Sequence, residues 1–284
     1  MNRLKMWALL CCIVVTKSHS MESKLMLDNG EYQVPAIFST PEIEQAYPAI
    51  ILLHGTASHK NEVGDLYVRL AQMLLAKNIA SIRIDFAGTG DSQVDYSKYT
   101  LESAVRDAGV ALDYLKKQPQ IAQNRIAVLG FSQGGLIAQM LATKESDIAA
   151  LVTWSSVAGN GKGPFKTVFD DYYLAAKRDG VAELTFEWRT PLKLSLDWFK
   201  QVELQASLSD LNEFTKPILA VAGEADRLVN PLSSLKLIQA SGSDDAQVVI
   251  LKGANHIFNV LSPDAKQDET LLKTTVQWLQ EKLH

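Results

Sequence analysis

The chain predicts an α/β fold: a mostly parallel β-sheet covered by helices on both faces, with one separate segment inserted into it. Three observations predict it. Short apolar runs of strand length alternate with stretches of helical periodicity along most of the 284 residues, which is the pattern of strands joined by helical crossovers. Gly130-Phe131-Ser132-Gln133-Gly134 directly follows the apolar run Ile126-Ala127-Val128-Leu129, the spacing of a serine on a tight strand-to-helix turn. The alternation then stops over residues 159–211, a stretch rich in aromatic side chains, and resumes after it.

The elements follow in order. Residues 24–27 and 32–38 flank Asp28-Asn29-Gly30 and read as an opening β-hairpin, because Asn-Gly between apolar runs favours a tight turn. Residues 49–53 form a continuous apolar run, as a strand buried on both faces requires. Residues 65–77 carry Leu66, Leu70, Met73 and Leu74 at helical spacing. A strand over 79–84 and a helix over 101–117 follow, the latter with Val105, Ala108, Leu112 and Leu115 on one side. Then come a strand at 126–129, a helix from 135 to 143, and strands at 148–154, 218–221 and 248–251. A last helix runs over 265–283. Residues 159–211 hold Phe165, Phe169, Tyr172, Tyr173, Phe186, Trp188, Trp198 and Phe199. They read as a cap over the carboxyl ends of the strands, where open α/β sheets bind ligands. Most of these aromatics are expected to form the small core of the cap itself. The division is therefore a core of residues 21–158 and 212–284 and a cap insertion of 159–211.

Composition sets the outer limits. With 47% apolar residues and 21% charged ones the chain can bury a large core. A net charge of −4 and a pI near 5.8 argue against nucleic acid as a partner. Residues 1–20 have the layout of a secretory signal peptide: Arg3 and Lys5, an apolar stretch from 6 to 15, and Ser18-His19-Ser20 before the cut. Ten apolar residues are too few to span a bilayer, which takes roughly 20. The expectation is thus a periplasmic or secreted protein without stable membrane insertion. Cys11 and Cys12 both fall in that segment, and Leu9-Leu10 before them is a poor lipidation context. Removing the segment takes away Arg3, Lys5 and Lys17 but no acid, so the net charge falls from −4 to −7. The remaining chain has no cysteine, which excludes disulfides, a thiol nucleophile and cysteine-based metal sites.

The candidate chemistry centres on Ser132. A serine hydroxyl is a weak nucleophile until a base takes its proton, and that base needs a carboxylate to orient it. The helix after Ser132 points its positive end at the site and favours developing negative charge there. Two histidines follow Ser132 in the chain, and His256 stands in the loop after the strand at 248–251 while His284 is the terminal residue. Gly223-Glu224-Ala225-Asp226 follows the strand at 218–221; Asp226 is the favoured acid and Glu224 its rival. Oxyanion donors are expected from the backbone N–H of Gln133, next to the nucleophile, and of Thr56, in the loop after the strand ending at Leu53. His54 reads as structural. Gly88-Thr89-Gly90 after a strand hints at a dinucleotide site, but the third glycine and an immediate helix are missing, so a tight structural loop is expected.

Taken together, Leu52-Leu53-His54-Gly55, Asp85 with Gly88, Gly90 and Ser92, the Gly130–Gly135 elbow, Gly223-Glu224-Ala225-Asp226 and Asn255-His256 resemble the α/β-hydrolase superfamily. Within it the chain is most similar to bacterial cinnamoyl/feruloyl esterase-like and serine aminopeptidase-like hydrolases. The resemblance implies an eight-stranded sheet, a Ser132–His256–Asp226 triad and an oxyanion hole at Thr56 and Gln133. It implies a serine hydrolase of small-molecule carboxylic esters working through an acyl-enzyme, with no cofactor and no metal. Position 56 is Thr, where that group often has a bulky apolar residue; backbone donation is unaffected. Two rivals share these features. A peptidase would need acids in the cap to hold an amino group, and Asp170, Asp171, Glu183 and Glu187 are available. A non-catalytic binding protein of the same fold would be expected to lack a triad member. Acyl transfer to an alcohol is compatible with the same residues.

Overall fold

The computed structural model describes residues 21–284; the signal-peptide expectation for residues 1–20 lies outside the described residues. β1 (Met21–Asp28) and β2 (Gln33–Thr40) form the opening hairpin. Its connection is longer than the expected Asn-Gly turn. The Asn29 side chain accepts from the amides of Glu31 and Tyr32 at 2.9 and 2.8 Å, which closes a four-residue loop over residues 29–32. β3 (Tyr47–Leu53), α1 (Leu66–Leu75), β4 (Ala80–Ile84) and α2 (Leu101–Lys116) follow. Next are β5 (Ile121–Phe131), α3 (Gln133–Lys144) and β6 (Ile148–Trp154).

The stretch after β6 adds no strand to the main sheet. It contains α4 (Lys166–Asp179), β7 (Val181–Leu184), β8 (Leu192–Ser195), α5 (Leu196–Leu204) and α6 (Ser207–Asp210). β7 and β8 pair only with each other. The expected small core is present: Phe165, Phe169, Trp198 and Phe199 are buried and meet edge to face, as Phe169 and Phe199 do at 5.0 Å and 90°. Trp188 stands apart from that core, 65% exposed. The chain then returns to the sheet with β9 (Ile218–Gly223), α7 (Leu232–Ala240), β10 (Ala246–Leu251) and α8 (Gln267–Leu283).

The eight strands lie in the order β1-β2-β4-β3-β5-β6-β9-β10. β2 runs antiparallel to both neighbours and every other pair is parallel. The period-2 alternation of a strand sorts side chains onto the two faces. Ile50 and Leu52 of β3 join the core beneath α1 and α8, whereas Ile51 and Leu53 join the one beneath α2 and α3. Both faces are therefore apolar, which is why β3 reads as an uninterrupted apolar run. β5 extends beyond its expected span because its first half carries exposed Gln123 and Asn124 and half-buried Arg125; the apolar signal marks only the doubly covered half. This order brings the carboxyl ends of β3, β5, β6, β9 and β10 to one end of the sheet, with β6 between β5 and β9.

Candidate active site

Ser132 occupies the turn between β5 and α3 with φ 54° and ψ −119°, a conformation costly for any residue but glycine. The surroundings hold it there. Its N–H donates to the Trp154 carbonyl at 2.9 Å, and its carbonyl accepts from Gly135 at 3.1 Å and Val157 at 3.2 Å. A Cβ at Gly130 would come within 2.0 Å of the Gly134 carbonyl, and one at Gly134 within 2.2 Å of the Leu53 carbonyl. Both glycines are thus required by backbone contact, and the second presses the turn against the loop after β3.

His256 and Asp226 converge on Ser132 from the loops after β10 and β9. His256 Nε2 lies 3.1 Å from Ser132 Oγ, and His256 Nδ1 lies 2.8 Å from Asp226 Oδ2. The other Asp226 oxygen accepts from the amides of Leu228 and Val229, each at 2.9 Å. Burial works to raise the Asp226 carboxyl, but the hydrogen bond with His256 and those two amides outweigh it and hold it below the usual carboxylate range. The His256 ring packs on Phe131 at 5.1 Å. Its loop is stapled by two asparagines: Asn255 Oδ1 accepts from the Asn259 amide at 2.9 Å, and Asn259 Oδ1 accepts from the Asn255 amide at 3.0 Å. Glu224 is not brought to the imidazole. It is exposed, and its carboxylate accepts from Gly253 N–H at 3.0 Å, tying the β9 loop to the β10 loop.

The loop after β3 lies against the elbow. Thr56 Oγ1 donates to Gln133 Oε1 at 2.8 Å. Among the described residues neither the Thr56 N–H nor the Gln133 N–H donates to a protein acceptor. Buried Glu62 fixes the loop by accepting from Gly55 N–H at 2.8 Å and Ser58 Oγ at 2.7 Å. His54 is structural: Phe86 N–H donates to its Nε2 at 3.2 Å, so Nδ1 carries the proton given to the Gly55 carbonyl at 2.8 Å. Burial lowers the pKa of this imidazole, consistent with the neutral ring. The Gly88–Gly90 segment is a tight loop wrapped on Asp85. That carboxylate accepts from the amides of Lys60 and Asp91 at 2.7 and 2.8 Å and from Lys60 Nζ at 2.5 Å.

Residues of the stretch between β6 and β9 face these loops. Thr56, Tyr96 and Gln133 line a cavity of about 40 Å³ together with Phe165, Leu184 and Trp198. From the β7–β8 connection, the Arg189 guanidinium donates to the Ala57 carbonyl, next to Thr56. The four acids Asp170, Asp171, Glu183 and Glu187 are all exposed, and Asp170 pairs with Lys166. Of the groups that shape the site, Glu62, Asn259 and Arg189 are not marked by any sequence motif, whereas Asp85 is.

The site thus joins a strained serine at the end of a central parallel strand to a histidine and an aspartate from later strand ends. The chain belongs to the alpha/beta hydrolase family, whose model matches residues 50–266. Among curated relatives, an uncharacterized protein of Mycobacterium tuberculosis is 25% identical over 209 residues, 74% of this chain; the match spans only 63% of that relative's length. The mitochondrial palmitoyl-protein thioesterase ABHD10 of Mus musculus is 24% identical over 245 residues, 83% of this chain and 76% of its own. Among solved structures, ferulic-acid-bound Est1E from Butyrivibrio proteoclasticus superposes with a TM-score of 0.72 at 21% identity. That match covers 91% of this chain and 98% of Est1E, and at that identity it shows the fold alone. Among the described residues no helix is long and apolar enough to cross a membrane.

Proposed function

We propose that the chain is a serine hydrolase of carboxylic esters with Ser132, His256 and Asp226 as its triad. The observation that carries the reading is the unbroken relay from Asp226 Oδ2 through His256 to Ser132 Oγ, at 2.8 and 3.1 Å. His256 Nε2 takes the Ser132 proton as Oγ attacks the acyl carbon. The N–H groups of Thr56 and Gln133 receive the negative charge that develops on the carbonyl oxygen. The tetrahedral species collapses, and His256 returns the proton to the departing alcohol. Water, deprotonated by His256, then attacks the acyl-enzyme and releases the acid. Asp226 keeps the proton on Nδ1 so that Nε2 is free to act as base.

In this reading the segment over residues 159–211 is a cap that roofs the acyl cavity. A cavity of about 40 Å³ accommodates a short acyl group as it stands. A feruloyl group, by analogy with the ferulic acid of Est1E, or a palmitoyl group, by analogy with the mouse thioesterase, would require Phe165 or Trp198 to move. Hydrolysis of esters is favoured over aminopeptidase action because no cap carboxylate lines the cavity. Export directed by residues 1–20 belongs to the same proposal; mass spectrometry of protein exported from a bacterial host is expected to find Met21 as the first residue.

The test is hydrolysis of p-nitrophenyl acyl esters by wild type and Ser132→Ala. The variant is expected to lose turnover by about 10⁶. Near-normal activity in Ser132→Ala would overturn the assignment.

A further inference from the structure

The cavity beside the elbow is mostly apolar, yet two of the residues that line it carry buried hydrogen-bond donors without acceptors. Trp198 is 2% exposed, and its indole Nε1 is buried with no hydrogen-bond partner. Gln133 is also 2% exposed; its Oε1 is held by the Thr56 hydroxyl, and its Nε2 is buried with no partner. Indole N–H can only donate, and a carboxamide nitrogen likewise. Such groups are the exception in a protein interior, because leaving a donor unpaired there is costly. Here two of them belong to residues that line one small cavity from opposite layers: Gln133 from the core and Trp198 from the cap.

We infer that the acyl subsite selects short acyl groups that carry a hydrogen-bond acceptor, an ether, hydroxyl or oxo oxygen, and discriminates against plain hydrocarbon chains. The inference rests on the ester-hydrolase reading and names the substrate class of the same site. A hydrocarbon acyl group filling the cavity leaves both N–H groups unpaired. An acyl group of the same size with an oxygen in the chain satisfies at least one of them. A site built to bond a polar group rejects the analogue lacking it far more strongly than an apolar pocket rejects a change in length. The cavity of about 40 Å³ suits a short acyl chain.

Two isosteric pairs of 4-methylumbelliferyl esters test this: methoxyacetate against butyrate, and 3-methoxypropionate against valerate. In each pair an oxygen replaces one methylene. The readout is the ratio of kcat/KM for the oxygen ester to that for the hydrocarbon ester, compared between wild type and variant. This comparison cancels the greater intrinsic reactivity of the alkoxy ester. Trp198→Phe keeps the aromatic packing and removes the N–H. Gln133→Met keeps the length and removes the amide. The ratio is expected to fall about tenfold for at least one pair in at least one variant, the size of one buried hydrogen bond. Unchanged ratios in both variants for both pairs would overturn the selectivity while leaving the hydrolase reading intact, provided that cleavage is lost in Ser132→Ala. Cleavage that persists in Ser132→Ala, or no cleavage of any of the four esters by wild type, would overturn both.

Discussion

Replacing Asp226 by Asn isolates the tautomer argument from the rest of the site. The Asn carbonyl can keep the two amide contacts that Asp226 Oδ1 now accepts, from Leu228 and Val229 at 2.9 Å. The other end becomes an NH₂ group facing His256 Nδ1 at the present 2.8 Å. Two donors cannot share that contact, so Nδ1 must accept and the ring proton moves to Nε2. Nε2 then points a hydrogen at Ser132 Oγ and can no longer take the serine proton. The expected loss in kcat is about 10⁴ when this tautomer is imposed on a serine triad. That corresponds to about 5.5 kcal/mol of transition-state stabilisation. The assay is p-nitrophenyl ester hydrolysis at pH 7.5, with melting temperature measured in parallel to show that the loop has kept its fold. Glu224→Gln is the control: its side chain is exposed and touches only the Gly253 amide, so activity should stay within about threefold. Activity of Asp226→Asn within tenfold of wild type, or a larger loss in Glu224→Gln, would refute the reasoning.

Further expectations concern stability. Asp107 on α2 is fully buried, and burial pushes its carboxyl up to about 6 despite hydrogen bonds from Asn29 and Tyr32. Between pH 4 and pH 6 the folded chain therefore holds a proton that the unfolded chain has released, so stability declines as pH rises through that window, by at most about 3 kcal/mol. Asp107→Asn keeps an acceptor for Asn29 and should flatten the decline; parallel urea-midpoint profiles for the two proteins would contradict this. Asp85→Ala removes the buried partner of Lys60, whose side chain is 9% exposed, and the acceptor of two amides. A loss of about 3–5 kcal/mol is expected, and a change below 1 kcal/mol in urea denaturation would show that Asp91 alone suffices.

The outline of the fold was legible because the parallel strands are covered on both faces and read as unbroken apolar runs. Strand β6 was placed at both ends, since it is buried nearly throughout. Where covering is partial the signal fades: β5 and β10 begin earlier than their apolar runs, and the opening turn is longer because the Asn29 side chain, not a two-residue hairpin, closes it. Ser132, Asp226 and His256 were legible because each follows a recognisable strand and few histidines compete. The structure separates Asp226 from Glu224 by direction and burial, something spacing cannot do with two acids two residues apart. The internal architecture of residues 159–211 was opaque because β7 and β8 are four residues each and pair only with each other. A long-range support such as Arg189 on the Ala57 carbonyl leaves no local pattern at all.

The strand order gives the two halves of the proposed relay unequal security. Ser132 extends from β5, which is flanked by β3 and β6 in the middle of the sheet. His256 hangs from the sheet's border strand, β10, which has a single neighbour and is largely half-exposed. Border strands release first when a protein breathes, at a free energy well below that of global unfolding. Catalysis should therefore fail before the molecule does: as urea rises, ester turnover is expected to fade at concentrations where the fluorescence of buried Trp154 still reports an intact centre. The nucleophile would remain in place, strained and ready, while its base had drifted out of reach.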